Sequence, residues 1–266
     1  MTTITHETII DEASLSDALK PRIGHENLFR DGTVSASTEA LNGAVAQAYD
    51  GLTYDAWVST GGATEWVRVQ VAGSPTPSAD YMAVAAHTLS GCTLTPQSSN
   101  DGSSWSDLAS AFTAVNDRPI VWEFAATQAN YFRLSITNAP GAVSIGAIHA
   151  GLKLTMERGL AIGFEPPSLN EDVTFTNAMS EGGQILGRAI VRRGVETDIA
   201  ANNVTWLWAH DDWRAFLDAA NLYACFFWWV NEGRGEIVYG GVDDPKAAFV
   251  DHELLRVSFE IKGINR

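Results

Sequence analysis

Apolar positions recur at every second residue along most of this chain. Val67, Val69 and Val71 alternate with Trp66, Arg68 and Gln70, and Phe132, Leu134 and Ile136 alternate with Tyr131, Arg133 and Ser135. Leu255, Val257, Phe259 and Ile261 do the same against Arg256, Ser258, Glu260 and Lys262. Successive side chains of a strand point to opposite faces, so each run predicts a strand with one buried face. Another alternating strand is expected over Thr3 to Ile10. Turn formers separate the runs at Thr60-Gly61-Gly62, Gly73-Ser74-Pro75, Ser98 to Gly102 and Asn138 to Gly141. Short strands between such clusters predict a mainly β chain of sandwich or barrel type, not a parallel α/β sheet.

One stretch follows a different period. Trp213, Phe216, Leu217 and Ala220 stand at i, i+3, i+4 and i+7, the stripe of an amphipathic helix of about three turns, with Asp211 or Asp212 as the expected N-cap. Leu222 to Val230 is then apolar on both faces, which predicts a central strand covered on two sides. Trp206, Trp208, Trp213, Trp228 and Trp229 all fall here, marking the core of a second domain. The pattern dissolves between Gly151 and Gln184, around Pro166-Pro167 and Gly182-Gly183. The expected organisation is an arm over 1–26, a β-sandwich over 27–158, a linker over 159–184 and a β domain with one helix over 185–266.

Charge narrows the function classes. Seventeen Lys and Arg stand against 32 Asp and Glu, a net charge of −15, and such a surface repels phosphate backbones and anionic lipid heads. Neither nucleic-acid nor membrane binding is expected. No apolar run approaches the ~20 residues of a membrane span, and residues 1–11 lack the basic and apolar segments of a secretory signal. Cys92 and Cys225 are too few and too far apart for a disulfide framework or a cysteine zinc site.

Catalytic patterns are missing. The six histidines have no ligand spacing, and His252-Glu253 has no second histidine and opens an alternating strand. There is no G-x-S-x-G elbow, P-loop or dinucleotide fingerprint. Charge and capping at a helix start account for Asp211 and Asp212 better than acid–base chemistry does. The expectation is a protein that is not an enzyme.

Five segments over 27–158 narrow the reading further. Tyr49-Asp50-Gly51-Leu52-Thr53-Tyr54-Asp55-Ala56-Trp57 and Trp66 to Val69 are followed by Ser99-Asn100-Asp101-Gly102 with Trp105 and Leu108, then Asn130 to Leu134, then Ile145 to Gly151. In this order they resemble the discoidin, or coagulation-factor type C, family, a galactose-binding-like jelly-roll β-sandwich. The resemblance implies a ligand at the loops of one end, opposite the chain termini. There Tyr54 would stack on a sugar or apolar partner, Asp55 would accept hydrogen bonds, and the loop from Thr60 to Thr64 would complete the surface. It also implies a structural calcium near Asp50 and Thr53, but Ala147-Ile148-His149 stands where the closing acid belongs, so no cofactor is expected beyond that candidate ion. Trp105 is expected to fold back on the sheet as a core residue, and Arg133 to pair with a carboxylate.

The region 185–266, one helix on a small antiparallel sheet closed by Leu254 to Gly263, resembles the tail-tube-like β-sandwich or split barrel of long-tailed phage tail-tip proteins. Joined to the first module, it implies a distal tail protein located at the virion tail tip. Such a protein is a homo-oligomeric ring, a hexamer favoured, that connects tail tube to baseplate and meets tape-measure and hub proteins. An acidic lumen would suit a DNA conduit. The outward module would touch a host surface glycan or a neighbouring baseplate protein. A stand-alone carbohydrate-binding or adhesion protein is the alternative, and a glycan-active enzyme the second alternative.

Overall fold

The computed structural model describes residues 2–5, 8–11, 20–231 and 234–265. The chain is mainly β. Its first strands are β1 (Thr2–Thr5), β2 (Thr8–Asp11), β3 (Arg22–Gly24) and, after the short helix α1 (Leu28–Asp31), β4 (Thr33–Ala36). A 3-10 turn at Val45–Ala48 precedes β5 (Trp57–Val58), β6 (Thr64–Gln70), β7 (Ser78–His87), β8 (Thr93–Ser99) and β9 (Ser106–Asp107). Then come β10 (Phe112–Thr113), β11 (Ile120–Gln128), β12 (Tyr131–Thr137), β13 (Ser144–Gly151) and β14 (Leu154–Thr155). The remainder is β15 (Glu171–Met179), β16 (Ile185–Thr205), the helices α2 (Trp206–Trp208) and α3 (Arg214–Ala220), β17 (Cys225–Asn231), β18 (Arg234–Phe249) and β19 (Leu254–Ile264).

These strands form three sheets, and with the helix they stack in four layers. The front sheet has the order β10-β8-β12-β6-β4, the middle sheet β1-β2-β11-β7-β13-β5, and the back sheet β14-β3-β17-β18-β19-β16-β15. The alternation in the sequence sets the first interface. Val67, Val69, Phe132, Leu134 and Ile136 face inward from the front sheet and meet Met82, Val84, Trp122 and Ile148 of the middle sheet, together with Trp57 and Phe29. This is the sandwich. Its outer middle face is not left to solvent: Tyr81, Ala83, Ala85, Val121 and Ala147 pack on Phe226, Trp228, Ile237 and Tyr239 of the back sheet. The far side of the back sheet buries Phe227, Val238, Val257, Phe259 and Ile261 against Trp213 and Phe216 of the helix. β17 is thus covered on both faces, as its unbroken apolar sequence predicts, and it lies between β3 and β18.

Several expectations need correction. The N-terminal segment forms two short strands, β1 and β2, paired antiparallel from Thr2↔Asp11 to Thr5↔Thr8, in place of one strand over Thr3 to Ile10. Within 1–26, the expected arm, Arg22–Gly24 is an interior strand of the back sheet. Its Gly24 permits close approach, since a Cβ there would stand 2.6 Å from the Tyr81 ring. Within 159–184, the expected linker, Glu171–Met179 is a strand. The back sheet is open, with no split barrel among the described strands, because β14 and β15 lie at opposite edges. The helical segment starts earlier than the periodicity indicates. It runs through α2, a π-helical turn at Ala209–Trp213 and α3, with Thr205 as the N-cap whose Oγ1 accepts from Trp208 N at 3.4 Å. Asp211 and Asp212 lie inside it.

β15 and the first half of β16 leave the sheet as a two-stranded ribbon. β16 joins β19 only from Val195 onward, so the pairing from Asp172↔Gly194 to Met179↔Ile185 has no third strand among the described residues. Eight residues of β15 at ~3.3 Å each make the ribbon roughly 26 Å long.

Candidate ligand site at the loop end of the sandwich

The loops on either side of Trp57–Val58 form one end of the sandwich. Trp57 is fully buried and its Nε1 donates to the Thr38 carbonyl at 2.8 Å, which ties the segment after β4 to the floor of this end. Below lies Glu65, a buried carboxylate that accepts from the Ser37 hydroxyl and, at 3.0 Å, from Thr38 Oγ1. Thr38 Oγ1 in turn accepts from Thr60 N at 3.0 Å, while Ser59 and Val143 exchange two hydrogen bonds. The loop from Thr60 to Thr64 is therefore held from beneath. Thr60 and Thr64 are themselves exposed.

Tyr54 and Asp55 sit on the preceding loop. Tyr54 is 83% exposed, so its ring is free to meet a ligand face. Asp55 is half-buried: its Oδ2 accepts from Gln47 Nε2 at 3.4 Å, and its enclosed Oδ1 has no hydrogen-bond partner. Glu65 Oε1 is likewise enclosed and unpartnered. An exposed aromatic ring next in the chain to a half-buried carboxylate suits a polyhydroxyl ligand, which brings both an apolar face and hydroxyl donors. Glu65 was missed by the motif reading, yet its signal is in the sequence, where it takes the inward register of Val67 and Val69.

Asp50 and Thr53, the calcium candidates, lie on an exposed turn. Asp50 Oδ1 accepts from Leu52 N at 2.9 Å in a turn where Gly51 has φ +91°. Thr53 is exposed, and among the described residues no three acidic, histidine or cysteine side chains converge on a possible ion. His149, at the position of the expected closing acid, is buried on the opposite face of the middle sheet, between the rings of Phe226 and Tyr239.

Two other side chains differ from expectation. Trp105 is half-buried on the outer surface of the front sheet and not in the core. Arg133 stacks on it, with Cζ 3.9 Å from the ring centroid, and donates from Nε to Gln97 Oε1 at 2.7 Å, so its hydrogen-bond partner is an amide and not a carboxylate. A separate cleft of about 760 Å³ opens where Phe112 and Arg118 of the sandwich meet Trp229, Glu236 and Asn265 of the back sheet.

No protein-family model and no curated protein sequence matches the chain. Similar solved structures include carbohydrate-binding modules and, over about a quarter of their length, fucosidases. Chitosan-binding module 1 of a chitosanase/glucanase from Paenibacillus sp. IK-5 is 22% identical, with 47% of this chain and 98% of that one covered at a TM-score of 0.42. A module from Clostridium perfringens in complex with GalNAc-β-1,3-galactose is 14% identical, with 46% and 96% covered at 0.41. A pectin-binding module is 18% identical, with 44% and 88% covered at 0.37.

Proposed function

We propose that this chain is a ring-forming structural protein of the distal tail type, at the tail tip of a long-tailed phage, whose sandwich turns its loop end outward to bind saccharide. The observation that supports the ring is the ribbon of β15 and β16. Ile185 is 70%, Leu186 69% and Val191 66% exposed, and the cross-strand pairs Phe175↔Ile190 and Met179↔Ile185 put further apolar surface on one face. A ribbon of this length with bare apolar surface is stable in water only when something covers it. Another copy of this chain is the simplest cover. Arg192 and Arg193 pair with Asp172 and Glu171 within the ribbon and Arg188 stacks on Phe175, so the contact rests on the apolar face and not on charge. A ribbon from one copy laid on the next is a head-to-tail contact, which makes a ring when the rotation from copy to copy closes. The net charge of −15 suits a channel through which DNA passes, and tail tube, tape-measure and hub proteins are the neighbours of such a ring.

Light scattering after gel filtration tests the assembly. The wild-type chain is expected as a single ring, most simply a hexamer, and Ile185→Ser with Leu186→Ser as a monomer. A monodisperse wild-type monomer would overturn the ring and leave the stand-alone carbohydrate-binding protein. Saccharide binding is tested on the same preparation with chitooligosaccharides and GalNAc-β-1,3-galactose. Binding abolished by Tyr54→Ala supports the loop end, and binding indifferent to it removes that site.

A further inference from the structure

We infer that the outer face of the front sheet is a second saccharide site, which takes an acidic glycan by clasping a sugar carboxylate between Arg68 and Arg133. The inference deepens the carbohydrate-binding half of the proposed function, uses a different surface from the loop end, and does not depend on the ring.

The argument starts from register. Alternation turns Trp66, Arg68 and Gln70 of β6 outward, and Tyr131, Arg133 and Ser135 of β12 with them. The pairing sets Arg133 directly opposite Arg68, with Ser35 opposite Arg68 on one side and Gln97 opposite Arg133 on the other. Like charges directly opposite each other destabilise a sheet. In a chain with 32 carboxylates and 17 cations the simple remedy would be an ion pair, yet among the described residues neither guanidinium has a carboxylate within 4 Å. Burial and the neighbouring Arg68 together lower the pKa of Arg133.

The two groups are held in place by their inner nitrogens. Arg68 Nε donates to Ser35 Oγ at 2.9 Å and Arg133 Nε to Gln97 Oε1 at 2.7 Å, and Gln97 is itself fixed by donating to Asp107 Oδ1 at 2.6 Å. Indole rings orient them further: Arg68 Cζ is 4.8 Å from the Trp66 centroid and Arg133 Cζ 3.9 Å from that of Trp105, which meets Tyr131 edge-on at 6.5 Å. With the Nε positions occupied, the terminal nitrogens of two planar groups are left for a ligand, and a carboxylate matches that fork. Aromatic surface beside the fork suits pyranose faces. The molecule's own charge limits how many anions the ligand brings. One carboxylate per few sugars is attracted by the arginine pair, whereas a phosphate on every residue is repelled by the rest of the surface. The ligand class is therefore a polysaccharide with intermittent uronate.

The test is isothermal titration of the full-length protein with three probes: a hyaluronan hexasaccharide, its carboxyl-reduced counterpart and a short oligothymidylate. The expected result is binding of the hyaluronan probe, at least about tenfold weaker binding of the reduced form, and a similar loss in Arg68→Gln and in Arg133→Gln. Arg133→Lys should not rescue, because an ammonium lacks the fork. The variants should melt close to wild type, since each loses a stacked ring contact and a hydrogen bond but also removes one of two opposed charges, and this separates lost binding from lost folding. Hyaluronan binding that survives both glutamine variants, or its absence, overturns the site, as does tighter binding of the oligothymidylate. If neutral sugars still bind and Tyr54→Ala abolishes that binding, this site has failed while the loop-end reading stands. If hyaluronan binding is lost in Tyr54→Ala but kept in the arginine variants, the acidic ligand belongs to the loop end.

Discussion

On its inner face the middle sheet presents Met82, Val84, Trp122 and Ile148, all apolar and fully buried against the front sheet; on its outer face it presents alanines together with Tyr81, Glu123 and His149, equally hidden beneath the back sheet. The inner contact is made of shape and apolar area. The outer one is tied by polar groups: Glu123 Oε1 accepts from Trp228 Nε1 at 2.6 Å, and its Oε2 lies 3.2 Å from Arg22 Nε and 3.8 Å from Lys153 Nζ. Lys153 also pairs with Asp80 at 2.8 Å, and the Tyr81 hydroxyl donates to the Glu26 carbonyl. Burial between Phe226 and Tyr239 pushes the pKa of His149 down to about 3. Apolar faces tolerate small shifts of register, whereas a buried carboxylate that must meet an indole and a guanidinium admits one alignment. The inner interface supplies stability, and the outer one fixes where the back sheet sits.

Urea titration followed by tryptophan fluorescence can break this contrast or sharpen it. Trp122→Ala, on the inner face, should cost about 3 to 5 kcal/mol in one cooperative transition. Glu123→Leu should cost about 3 kcal/mol because it removes the carboxylate that faces Arg22, Lys153 and the Trp228 indole, and adding Arg22→Met should recover part of that loss. No recovery would show that the ion pair does not couple the layers.

The third effect is acid lability. His149 titrates near 6.5 when unfolded and near 3 in the fold, so on acidification the unfolded chain takes up the proton first. Stability contributed by neutral His149 is complete above about pH 6.5 and declines as pH falls toward 3. Between pH 7 and pH 4.5 the wild type should lose about 2 to 3 kcal/mol more than His149→Gln. Equal slopes would remove His149 from the account. Smallest of all, Trp105→Ala on the exposed face of the front sheet should cost only about 1 kcal/mol, as a ring held mainly by arginine stacking and an edge contact.

The sequence makes some of this legible and hides the rest for physical reasons. The period-two runs at Trp66, Tyr131 and Leu255 are β6, β12 and β19, because a sheet with one buried face leaves its alternation in the chain. Leu222 to Val230 reads as a doubly covered strand for the complementary reason, that burial on both faces erases the alternation, and Cys225–Asn231 of it is β17. Strand β3 has three residues, too few for any period, and its partner Phe227 is supplied from far along the chain. The ribbon's first strand, β15, was hidden because the prolines and glycines on either side of it read as a linker, whereas the strand expected over Ile185 to Arg193 is the ribbon half of β16. Trp206-Leu207-Trp208 has no helical stripe, so the helix seemed to begin at the next acidic pair rather than at Thr205. For the loop end, Tyr54 and Asp55 were singled out by resemblance, while Glu65 was available to physics alone as a carboxylate in an apolar register.

The placing of β3 beside β14 has a consequence for how the molecule is born. The two strands pair through Leu154↔Ile23 and bracket everything between them, so they can form as soon as the sandwich is synthesised. Their other neighbour, β17, leaves the ribosome later: about 70 residues separate Thr155 from Phe227, roughly 4 to 14 s at ordinary elongation rates. For that interval the nascent chain holds a finished sandwich whose outer alanines, Glu123 and His149 face water, which small and polar side chains tolerate far better than the aromatic cover that arrives later. The aromatic residues Phe226 and Trp228 emerge onto a surface already in place, and spend little time exposed to water.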